Sequence, residues 1–433
     1  MSIFSPTTAP RTLHPQRAET NSIHATPLAN RAQVGIFGNT NAGKSTLFNR
    51  ILDQEMAIVS VVRGTTTDPV AKAMELLPFG PITLIDTAGL DDTGDIGNLR
   101  VKRTHSLISR CDAALYTADA ATMLDGSAVD DYDRTQALFA RHQVPHLLVL
   151  TKADLITEQD RQTLLDRLPC ALLAAQDDDS SMSALRDALS KLLVQHFSDH
   201  EQDIPVISKL VPAGGTVLVV VPVDSEAPKG RLILPQVQLI RDCLDAGIRC
   251  LVSREHELAS AIHDYQSGGI DFVVTDSQAF AIVSGIVPET IPLTSFSMLL
   301  AAGKGDFATL VDGLAMIPSL QDGDQILISE ACSHNVTHED IGRVKIPRLL
   351  EKTTGKQLAF SFTAGQQTAE DVSGYRLIVH CGACMISKKA MRSRVRTSQE
   401  AGVPMTNYGL LLAYGTGTLD RCLNGFRQKG LIG

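Results

Sequence analysis

Two short stretches of this chain combine residue types and spacings that could carry out chemistry. The first covers residues 38–45 and reads Gly-Asn-Thr-Asn-Ala-Gly-Lys-Ser, which matches the pattern GxxxxGK[ST] at every fixed position. The second is a CxH triplet at 332–334 followed by an HCxxC run at 380–384. The first stretch predicts a phosphate site for a nucleotide, and the second predicts a metal site.

The phosphate loop, residues 38–45, has the sequence context that the chemistry requires. An apolar run that predicts a buried strand, Gln33–Phe37, precedes it, and the amphipathic run Thr46–Leu52 follows it. Backbone N–H groups and the helix N-terminus would bind the phosphates. Lys44 would reach the β and γ phosphates, and the Ser45 hydroxyl would bind Mg²⁺. The residues expected to contact the nucleotide here are Gly38, Asn39, Asn41, Ala42, Gly43, Lys44, Ser45 and Thr46.

A second motif, Asp86-Thr-Ala-Gly89, directly follows the predicted strand Ile82–Ile85. The carboxyl ends of parallel strands meet at one edge of a sheet, so this motif would lie beside the phosphate loop. Asp86 would hold Mg²⁺ through water, and the Gly89 amide would turn towards the γ phosphate.

A third motif, Thr151-Lys152-Ala-Asp154, follows the predicted strand His146–Leu150 at the same edge. The Asp154 carboxylate can accept two N–H groups of guanine that adenine does not offer, and the Lys152 stem can cover the base. The three motifs, in this order after successive strands, predict a GTP site.

Residues 33–197 resemble the translation-factor-related GTPases, in particular the branch with MnmE, Era and EngA. The resemblance implies GTP hydrolysis, with Lys44, Thr66 and Asp86 as the catalytic residues. It implies an effector loop at Gly64–Asp68, in which Thr66 contacts Mg²⁺ and the γ phosphate. Thr67 replaces the arginine of that branch, Thr151 replaces the usual asparagine, and the base-closing motif is reduced to Ala174-Ala175.

Two further positions bear on the rate of hydrolysis. Leu90 stands where Ras-like enzymes carry the glutamine that orients the attacking water, so we expect slow intrinsic turnover. Asn41 stands where MnmE-like GTPases bind an activating K⁺ ion. An asparagine in a tight loop is equally well explained as a turn former.

The cysteines of the second stretch follow predicted strands, Gln325–Ser329 and Arg376–Val379, and 45 residues (335 to 379) separate its two parts. Two strand ends could therefore bring the thiolates together. Three thiolates and two histidines can hold either a zinc ion or an iron-sulfur cluster, and ordinary buried cysteines remain a metal-free alternative. The candidate ligands are Cys332, His334, His380, Cys381 and Cys384.

The whole pattern, from about Thr26 onward, resembles the HydF family, the GTPases that mature iron-only (FeFe) hydrogenase. Supporting runs are Lys229–Gln236 and Thr406–Gly409. The resemblance implies a 4Fe-4S cluster on Cys332, Cys381 and Cys384, with His334 or His380 as the fourth ligand or as a supporting group. It also implies a scaffold that accepts a diiron precursor from the radical-SAM maturases HydE and HydG and delivers it to apo-(FeFe)-hydrogenase.

The expected organisation is an α/β protein in three domains behind a disordered leader, residues 1–31. A GTPase domain would cover 32–198, a dimerisation domain 199–290, and a cluster-binding domain 291–433. The middle segment repeats strand and helix patterns without a ligand motif, so we interpret it as an assembly platform for a homodimer or a dimer of dimers.

The composition of the chain argues against some classes of binding partner. The chain has 39 basic and 48 acidic residues and a formal charge of -9, which gives no general attraction to nucleic acid or to an anionic membrane. Its apolar runs are shorter than the roughly 20 residues that cross a bilayer. Eight scattered cysteines do not form a disulfide framework and suit a reducing cytoplasm.

A basic run, residues 388–396, leaves two further possibilities open. It could offset the charge of an anionic cluster, although a solvated helix face is the favoured interpretation. The rival function that it suggests is a ribosome- or tRNA-directed GTPase with a zinc-stabilised RNA-binding tail.

Overall fold

The computed structural model describes residues 30–52, 61–62, 70–87, 89–90, 106–175, 178–199, 206–222, 232–265, 268–331, 341–365 and 371–432. The leader up to residue 29, the effector loop Gly64–Asp68 with Thr66, and two candidate metal ligands, Cys332 and His334, lie outside the described residues. The described residues form three sheets, which define a first unit (30–199), a second unit (206–304) and a third unit (307–432).

The first unit is built on a seven-stranded sheet in the order β2-β3-β4-β1-β5-β6-β7. The strands are β1 Ala32–Phe37, β2 Val61–Val62, β3 Val70–Leu76, β4 Gly80–Asp86, β5 Ala113–Asp119, β6 His146–Thr151 and β7 Leu172–Ala174. The helices are α1 Lys44–Leu52, α2 Ala120–Leu124, α3 Val129–Arg141, α4 Glu158–Arg167 and α5 Asp179–Asp199, with a 3₁₀ turn at Ala153–Leu155.

Strands β4, β1, β5, β6 and β7 are parallel, as the alternation of apolar and amphipathic runs predicts, whereas β2 and β3 add an antiparallel edge. Alternate residues of the central strands enter two separate cores. Val34 and Ile36 pack on the face covered by α1 and α5, and Phe37 packs on the other face, against Phe139 of α3. Because these five strands are parallel, their carboxyl ends lie at one edge of the sheet.

The second unit is a four-stranded parallel sheet in the order β11-β10-β8-β9. Its strands are β8 Thr216–Val220, β9 Arg249–Ser253, β10 Phe272–Thr275 and β11 Leu293–Ser295. Its helices are α6 Val206–Leu210, α7 Leu234–Asp245, α8 Leu258–Asp264, α9 Phe280–Ile286 and α10 Phe296–Lys304, with 3₁₀ turns at Glu255–Glu257 and Ser277–Ala279.

The second unit extends past the expected domain boundary at residue 290. Strand β11 pairs with β10, and α10 follows it directly, so the sheet is completed by residues that we assigned to the next domain. A strand of three residues is too short to show a period in the sequence, which explains the difference.

The third unit is a second four-stranded parallel sheet, in the order β13-β12-β14-β15. Its strands are β12 Gln325–Ser329, β13 Ala359–Thr363, β14 Leu377–His380 and β15 Met405–Asn407. Its helices are α11 Phe307–Asp312, α12 Ile346–Thr354, α13 Lys388–Glu400, α14 Tyr408–Gly415 and α15 Leu419–Gln428, with a 3₁₀ helix at Gly313–Ser319 and a π-helix at Ile341–Lys345.

The second and third units share one continuous hydrophobic core that runs from Ile207 to Phe426. Helix α15 closes it: a Cβ on Gly425 would lie 2.7 Å from the Phe272 ring of β10, and Arg421 donates to the carbonyl oxygens of Ser284, Val287 and Pro288. These two units therefore fold as one body. None of the helices among the described residues has both the length and the apolar character needed to span a membrane.

Candidate functional site

The phosphate loop adopts a conformation that its glycines make possible. Gly38 has a φ of 144°, and a Cβ there would lie 2.1 Å from the Thr117 carbonyl oxygen, so only glycine fits. Gly43 has a φ of 83°. Asn41, at a φ of 62°, occupies the left-handed region that asparagine tolerates better than most residues.

Two of the residues predicted to hold Mg²⁺, Ser45 and Asp86, lie together where α1 begins and β4 ends. The Ser45 hydroxyl donates to Asp86 Oδ2 at 2.7 Å, and the buried Lys44 ammonium donates to the Asn39 carbonyl oxygen at 2.7 Å. Burial raises the pKa of Asp86, although Ser45 and Lys44 act in the opposite direction. Asp86 Oδ1 is buried without a hydrogen-bond partner. A carboxylate oxygen without a donor, next to an exposed hydroxyl, suits a hard cation such as Mg²⁺.

The Asp86–Gly89 motif is fastened to the strand that leads into the phosphate loop. The Thr87 hydroxyl donates to the Ile36 carbonyl oxygen at 2.7 Å, and the Leu90 N–H donates to the Gly38 carbonyl oxygen at 3.3 Å. These two hydrogen bonds hold the Asp86–Gly89 motif beside the phosphate loop.

Thr151, which replaces the usual asparagine of the guanine motif, keeps a link to the phosphate loop. Its hydroxyl lies 2.8 Å from the Ala42 carbonyl oxygen and 3.1 Å from the Ala118 carbonyl oxygen. Its side chain also lies where a Cβ on Gly43 would reach, at 3.2 Å. A short hydroxyl side chain therefore joins the base-recognition strand to the phosphate loop.

The rest of the guanine motif lies at the carboxyl end of β6. Lys152 forms an ion pair with Asp119, with 2.8 Å between Nζ and Oδ2, and Asp154 is exposed in the following 3₁₀ turn. Asp119 was not predicted as a site residue. Asp119 is the last residue of β5, and its side chain caps α2 by accepting from the Ala121 N–H at 2.9 Å. An aspartate at the end of a predicted strand was the feature of the sequence that could have indicated it. Ala175, in the reduced base-closing motif, accepts a hydrogen bond from Arg50 of α1.

A side chain of the phosphate loop also contacts a helix that the sequence motifs did not indicate. Asn39 Nδ2 donates to Asp131 Oδ2 at 2.6 Å, and Asp131 lies in the first turn of α3. The phosphate loop is thus tied to one end of this helix.

The cysteine loop, residues 381–386, begins where β14 ends, and its first thiol is surrounded by backbone donors. Cys381 N–H donates to the Ser329 carbonyl oxygen at 3.0 Å, which fixes the loop against the end of β12. Cys381 Sγ accepts from the N–H groups of Ala331 at 3.1 Å and Ala383 at 3.5 Å. Burial raises the pKa of the Cys381 thiol to about 11, and these two N–H groups act against that shift. The chain next to Ala331 continues into Cys332.

His380 is fully buried and uses both ring nitrogens. Nδ1 donates to the Cys381 carbonyl oxygen at 2.8 Å, and Nε2 accepts from Arg394 at 2.7 Å. Burial, with the Arg394 charge, lowers the pKa of His380 to about 3, so the ring is neutral. In this arrangement His380 orients the start of the cysteine loop.

Lys304, at the end of α10, supports the same loop from the second unit. Its buried ammonium donates to the carbonyl oxygens of Ala383 at 3.1 Å, Cys384 at 3.4 Å and Ile386 at 3.0 Å. Burial lowers the pKa of the Lys304 ammonium and raises the pKa of the Cys384 thiol. The positive charge of Lys304 acts in the opposite direction on the thiol and lowers its pKa. Nothing in the sequence pattern singled out Lys304, because the contact joins residues 79 to 82 positions apart.

Cys381, Cys384 and His380 are the candidate metal ligands among the described residues. Within the described ranges, no group of three or more His, Cys, Asp or Glu side chains converges on a point that could hold an ion. N–H groups directed at a sulfur, a lysine ammonium and the Arg394 guanidinium suit an anionic metal–thiolate group.

The basic run forms most of α13, and it is not simply a solvated face. Arg394 is buried against His380, Lys389 donates to the Gln143 carbonyl oxygen at 2.8 Å, and Arg396 donates to His142 Nδ1 at 2.7 Å. Basic side chains of α13 therefore bind both to the third unit, at His380, and to the first unit, at the end of α3.

Comparison with known proteins assigns each unit. Residues 33–152 match the family described as 50S ribosome-binding GTPase, residues 206–305 match the Hydrogen maturase F dimerization domain, and residues 308–425 match the Hydrogen maturase F tetramerization domain. The chain belongs to the hydrogen maturase F family. The resemblance inferred from the motifs is confirmed, and so are the α/β fold and the presence of a GTP-hydrolase domain in the first unit.

The second and third units belong to families named for oligomerisation. We expected the third to be a cluster-binding domain, and the family description adds an assembly role to that segment. The match to the dimerization domain ends at residue 305. It therefore includes β11 and α10, in agreement with their placement in the second unit.

Curated relatives match part of this chain. The tRNA modification GTPase MnmE of Desulfotalea psychrophila is 31% identical over 160 residues, 36% of this chain and 33% of the relative. GTPase Der of Chloroflexus aggregans is 34% identical over 177 residues, 40% of this chain and 38% of the relative. This chain therefore spans little more than a third of the length of these relatives.

Solved structures also match. The G domain of the T. maritima FeoB iron transporter is 21% identical, with a TM-score of 0.28, and the match covers 38% of this chain and 98% of that one. Aquifex aeolicus Era bound to GDP and AlF₄⁻ is 17% identical, with a TM-score of 0.31, covering 52% of this chain and 93% of that one.

Proposed function

We propose that this protein is a GTP-hydrolysing scaffold that carries an iron-sulfur cluster during the maturation of (FeFe)-hydrogenase. The observation that carries the proposal is a combination within one chain. A complete phosphate loop lies in the first unit, and a cysteine loop with N–H groups directed at sulfur lies in a unit that belongs to a hydrogen maturase F family.

In the nucleotide site, Lys44 binds the β and γ phosphates, and Ser45 with Asp86 holds Mg²⁺, which Thr66 joins from the effector loop. The unpartnered oxygen Asp86 Oδ1 supports the metal assignment. The remaining loop residues bind phosphate through their backbone, and Asp154 and Lys152 bind guanine.

Turnover is slow, because Leu90 cannot orient water by hydrogen bonding. Asn41 binds K⁺ in this proposal, so phosphate release is faster in potassium than in sodium at equal ionic strength. Equal rates in the two salts would remove the potassium role from Asn41 and would leave the GTP site in place.

In the third unit, Cys332, Cys381 and Cys384 hold a 4Fe-4S cluster. Both ring nitrogens of His380 are engaged by protein groups, so His334 is the stronger candidate for the fourth position. When bound, the cluster supplies an iron with an exchangeable position. The cluster ligands must lose their protons, and the positive charges of Lys304 and Arg394 favour that loss.

The cargo and partners follow from the family. A diiron precursor made by HydE and HydG is the substrate that the scaffold accepts, and apo-(FeFe)-hydrogenase is the recipient. The protein works as an oligomer built from its second and third units, in the reducing cytoplasm, where thiolate ligands persist.

The test uses full-length protein reconstituted anaerobically. Cys381→Ser and Cys384→Ser should lose most of their iron, because a hard oxygen replaces a soft thiolate, while GTP hydrolysis stays within a few-fold of normal. Asp154→Asn should weaken guanine binding and keep its iron. The exposed Cys170, replaced by serine, is the matched control.

The measurements are iron per chain, the EPR spectrum of the reduced protein, the GTPase rate and the activation of apo-hydrogenase. A colourless wild-type protein with one zinc per chain would contradict the cluster. Cysteine variants that activate hydrogenase normally without iron would contradict the scaffold function.

A further inference from the structure

Helix α13 is hydrogen-bonded both to the residue that precedes the cysteine loop and to the first unit. Arg394 donates to His380, whereas Lys389 and Arg396 donate to residues at the end of α3. The contacts to the first unit join residues about 250 positions apart in the chain, with separations of 246 and 254.

On the first unit, α13 contacts the C-terminal end of α3. Lys389 donates to the Gln143 carbonyl oxygen, and Arg396 donates to His142 Nδ1 at 2.7 Å and to the Arg141 carbonyl oxygen at 3.4 Å. The last carbonyl groups of a helix have no partner within the helix and carry partial negative charge. Cations at this position are therefore well matched to the end of α3.

The other end of α3 holds the phosphate loop through the contact between Asp131 and Asn39. Helix α3 has 13 residues and is therefore about 20 Å long at 1.5 Å per residue. Phe139 of α3 is fully buried in the core of the first unit, and close-packed interiors transmit a displacement from one end of an element to the other.

On the other side of α13, Arg394 is 5% exposed and its guanidinium is surrounded by acceptors of the third unit. It donates to His380 Nε2 at 2.7 Å, to Ser329 Oγ at 3.4 Å and to the Gly365 carbonyl oxygen at 2.8 Å. A shift of α13 would break the hydrogen bonds of a buried cation unless these acceptors moved with it, and one of them, His380, is bonded to Cys381.

We propose that α3 and α13 together form the route by which the nucleotide state in the phosphate loop changes the accessibility of the cysteine loop. The proposal rests on the proposed function, since it connects the GTP site with the cluster site. By linkage, a cluster on the cysteines then changes nucleotide affinity by the same factor as the nucleotide changes cluster affinity.

The test uses reduced, cluster-free, full-length protein, so it needs neither hydrogenase nor iron. We would measure alkylation of Cys381 and Cys384 by iodoacetamide, site by site with mass spectrometry, in GDP and in a non-hydrolysable GTP analogue. The wild type should give a ratio of rates of at least several-fold between the two nucleotides, within the roughly 5- to 150-fold range of typical coupling.

The double variant Lys389→Gln, Arg396→Gln should bring that ratio close to one while nucleotide affinity stays unchanged. Arg392→Gln is the matched control, because Arg392 lies on the same helix and makes no hydrogen bond to the first unit among the described residues. It should keep the wild-type ratio. Asp131→Ala, at the far end of α3, should also bring the ratio close to one.

Equal alkylation rates in the wild type, or an unchanged ratio in the double variant, would overturn the proposal. Nucleotide affinity and iron uptake, measured on the same preparations, report separately on the proposed function. If the wild type binds both and the ratio does not respond to the variants, the route alone is rejected. If the wild type binds no guanine nucleotide or no iron, the proposed function itself fails.

Discussion

Single residues carry much of the site geometry through buried hydrogen bonds. Thr151 joins the guanine motif to the phosphate loop through one hydroxyl, and His380 connects Arg394 with Cys381 through one neutral ring. Groups in such positions are costly to replace, because removal of one partner leaves the other buried and unsatisfied.

Lys304 is the residue for which this cost is easiest to measure. Lys304→Met should leave three carbonyl oxygens of the cysteine loop without their donor, destabilising the folded state by roughly 1–3 kcal/mol and lowering iron per chain. Urea unfolding and iron analysis would check both effects. Lys209→Met, at an exposed lysine of the same unit, should change neither. Equal behaviour of the two variants would show that Lys304 does not support the loop.

The contact of His142 with α13 should depend on pH. Burial is the main cause that lowers the pKa of His142, followed by Arg396, Arg141 and Lys389, while Glu400 acts in the opposite direction. A pKa that is lower in the folded protein than in the unfolded chain means that the stabilisation is complete above the ordinary value of about 6.5 and is lost as the pH falls below it.

Unfolding of the protein followed between pH 7.5 and 5.5, at constant ionic strength, would test this dependence. The wild type should lose more stability than His142→Gln, because glutamine can accept from Arg396 and does not titrate in this range. Identical pH profiles for the two proteins would contradict the expectation.

At the scale of elements, the exposed edge of the second sheet is the part best suited to self-association. Strand β9 is an edge strand among the described residues, and apolar side chains are exposed on it and on the adjacent α7. They are Val252 at 52%, Leu244 at 65% and Val237 at 49% exposed. Exposed edges and apolar patches favour pairing with another chain, and this unit belongs to a dimerization-domain family.

Val252→Lys should therefore weaken the dimer by at least about tenfold, because a charge would be buried in the apolar interface, a change worth more than 1.4 kcal/mol. Sedimentation at a series of protein concentrations measures the change. Ile282→Lys is the control, since Ile282 is 54% exposed on α9, a helix that follows the inner strand β10 and not the edge strand β9. If Ile282→Lys dissociates the dimer and Val252→Lys does not, the interface lies elsewhere.

At the scale of the whole molecule, the chain divides into two bodies. The first unit has its own two cores on the faces of its sheet, and the second and third units share one core. Hydrogen bonds of Lys389 and Arg396 to the first unit join the two bodies. Polar contacts of this kind link the two bodies while each keeps its own hydrophobic core.

Fragments of the chain would test whether the second and third units fold together as one body. Residues 206–433 should fold cooperatively, whereas 206–290 should not, because the shorter fragment lacks β11 and the helices that cover β10. Circular dichroism and urea unfolding are the measurements. A stable, cooperatively folded 206–290 fragment would contradict the shared core.

The sequence alone determined the local features of this protein. The phosphate loop is a contiguous pattern whose glycines are required by their own backbone angles, and the buried strands are continuous apolar runs. Both kinds of signal are contained within a few neighbouring residues, so β1, β4, β6, β12 and the loops that follow β1 and β14 could be predicted to within a residue or two.

Only the tertiary structure decided which distant residues meet. Lys304 reaches the cysteine loop across 79 positions, and α13 meets α3 across 246, so neither contact leaves a local period or motif. The antiparallel pairing of β3 and the short strand β11 likewise depend on neighbours that the chain supplies elsewhere. Sequence spacing reports which side chains one element presents, whereas the packing of separate elements determines what those side chains bind.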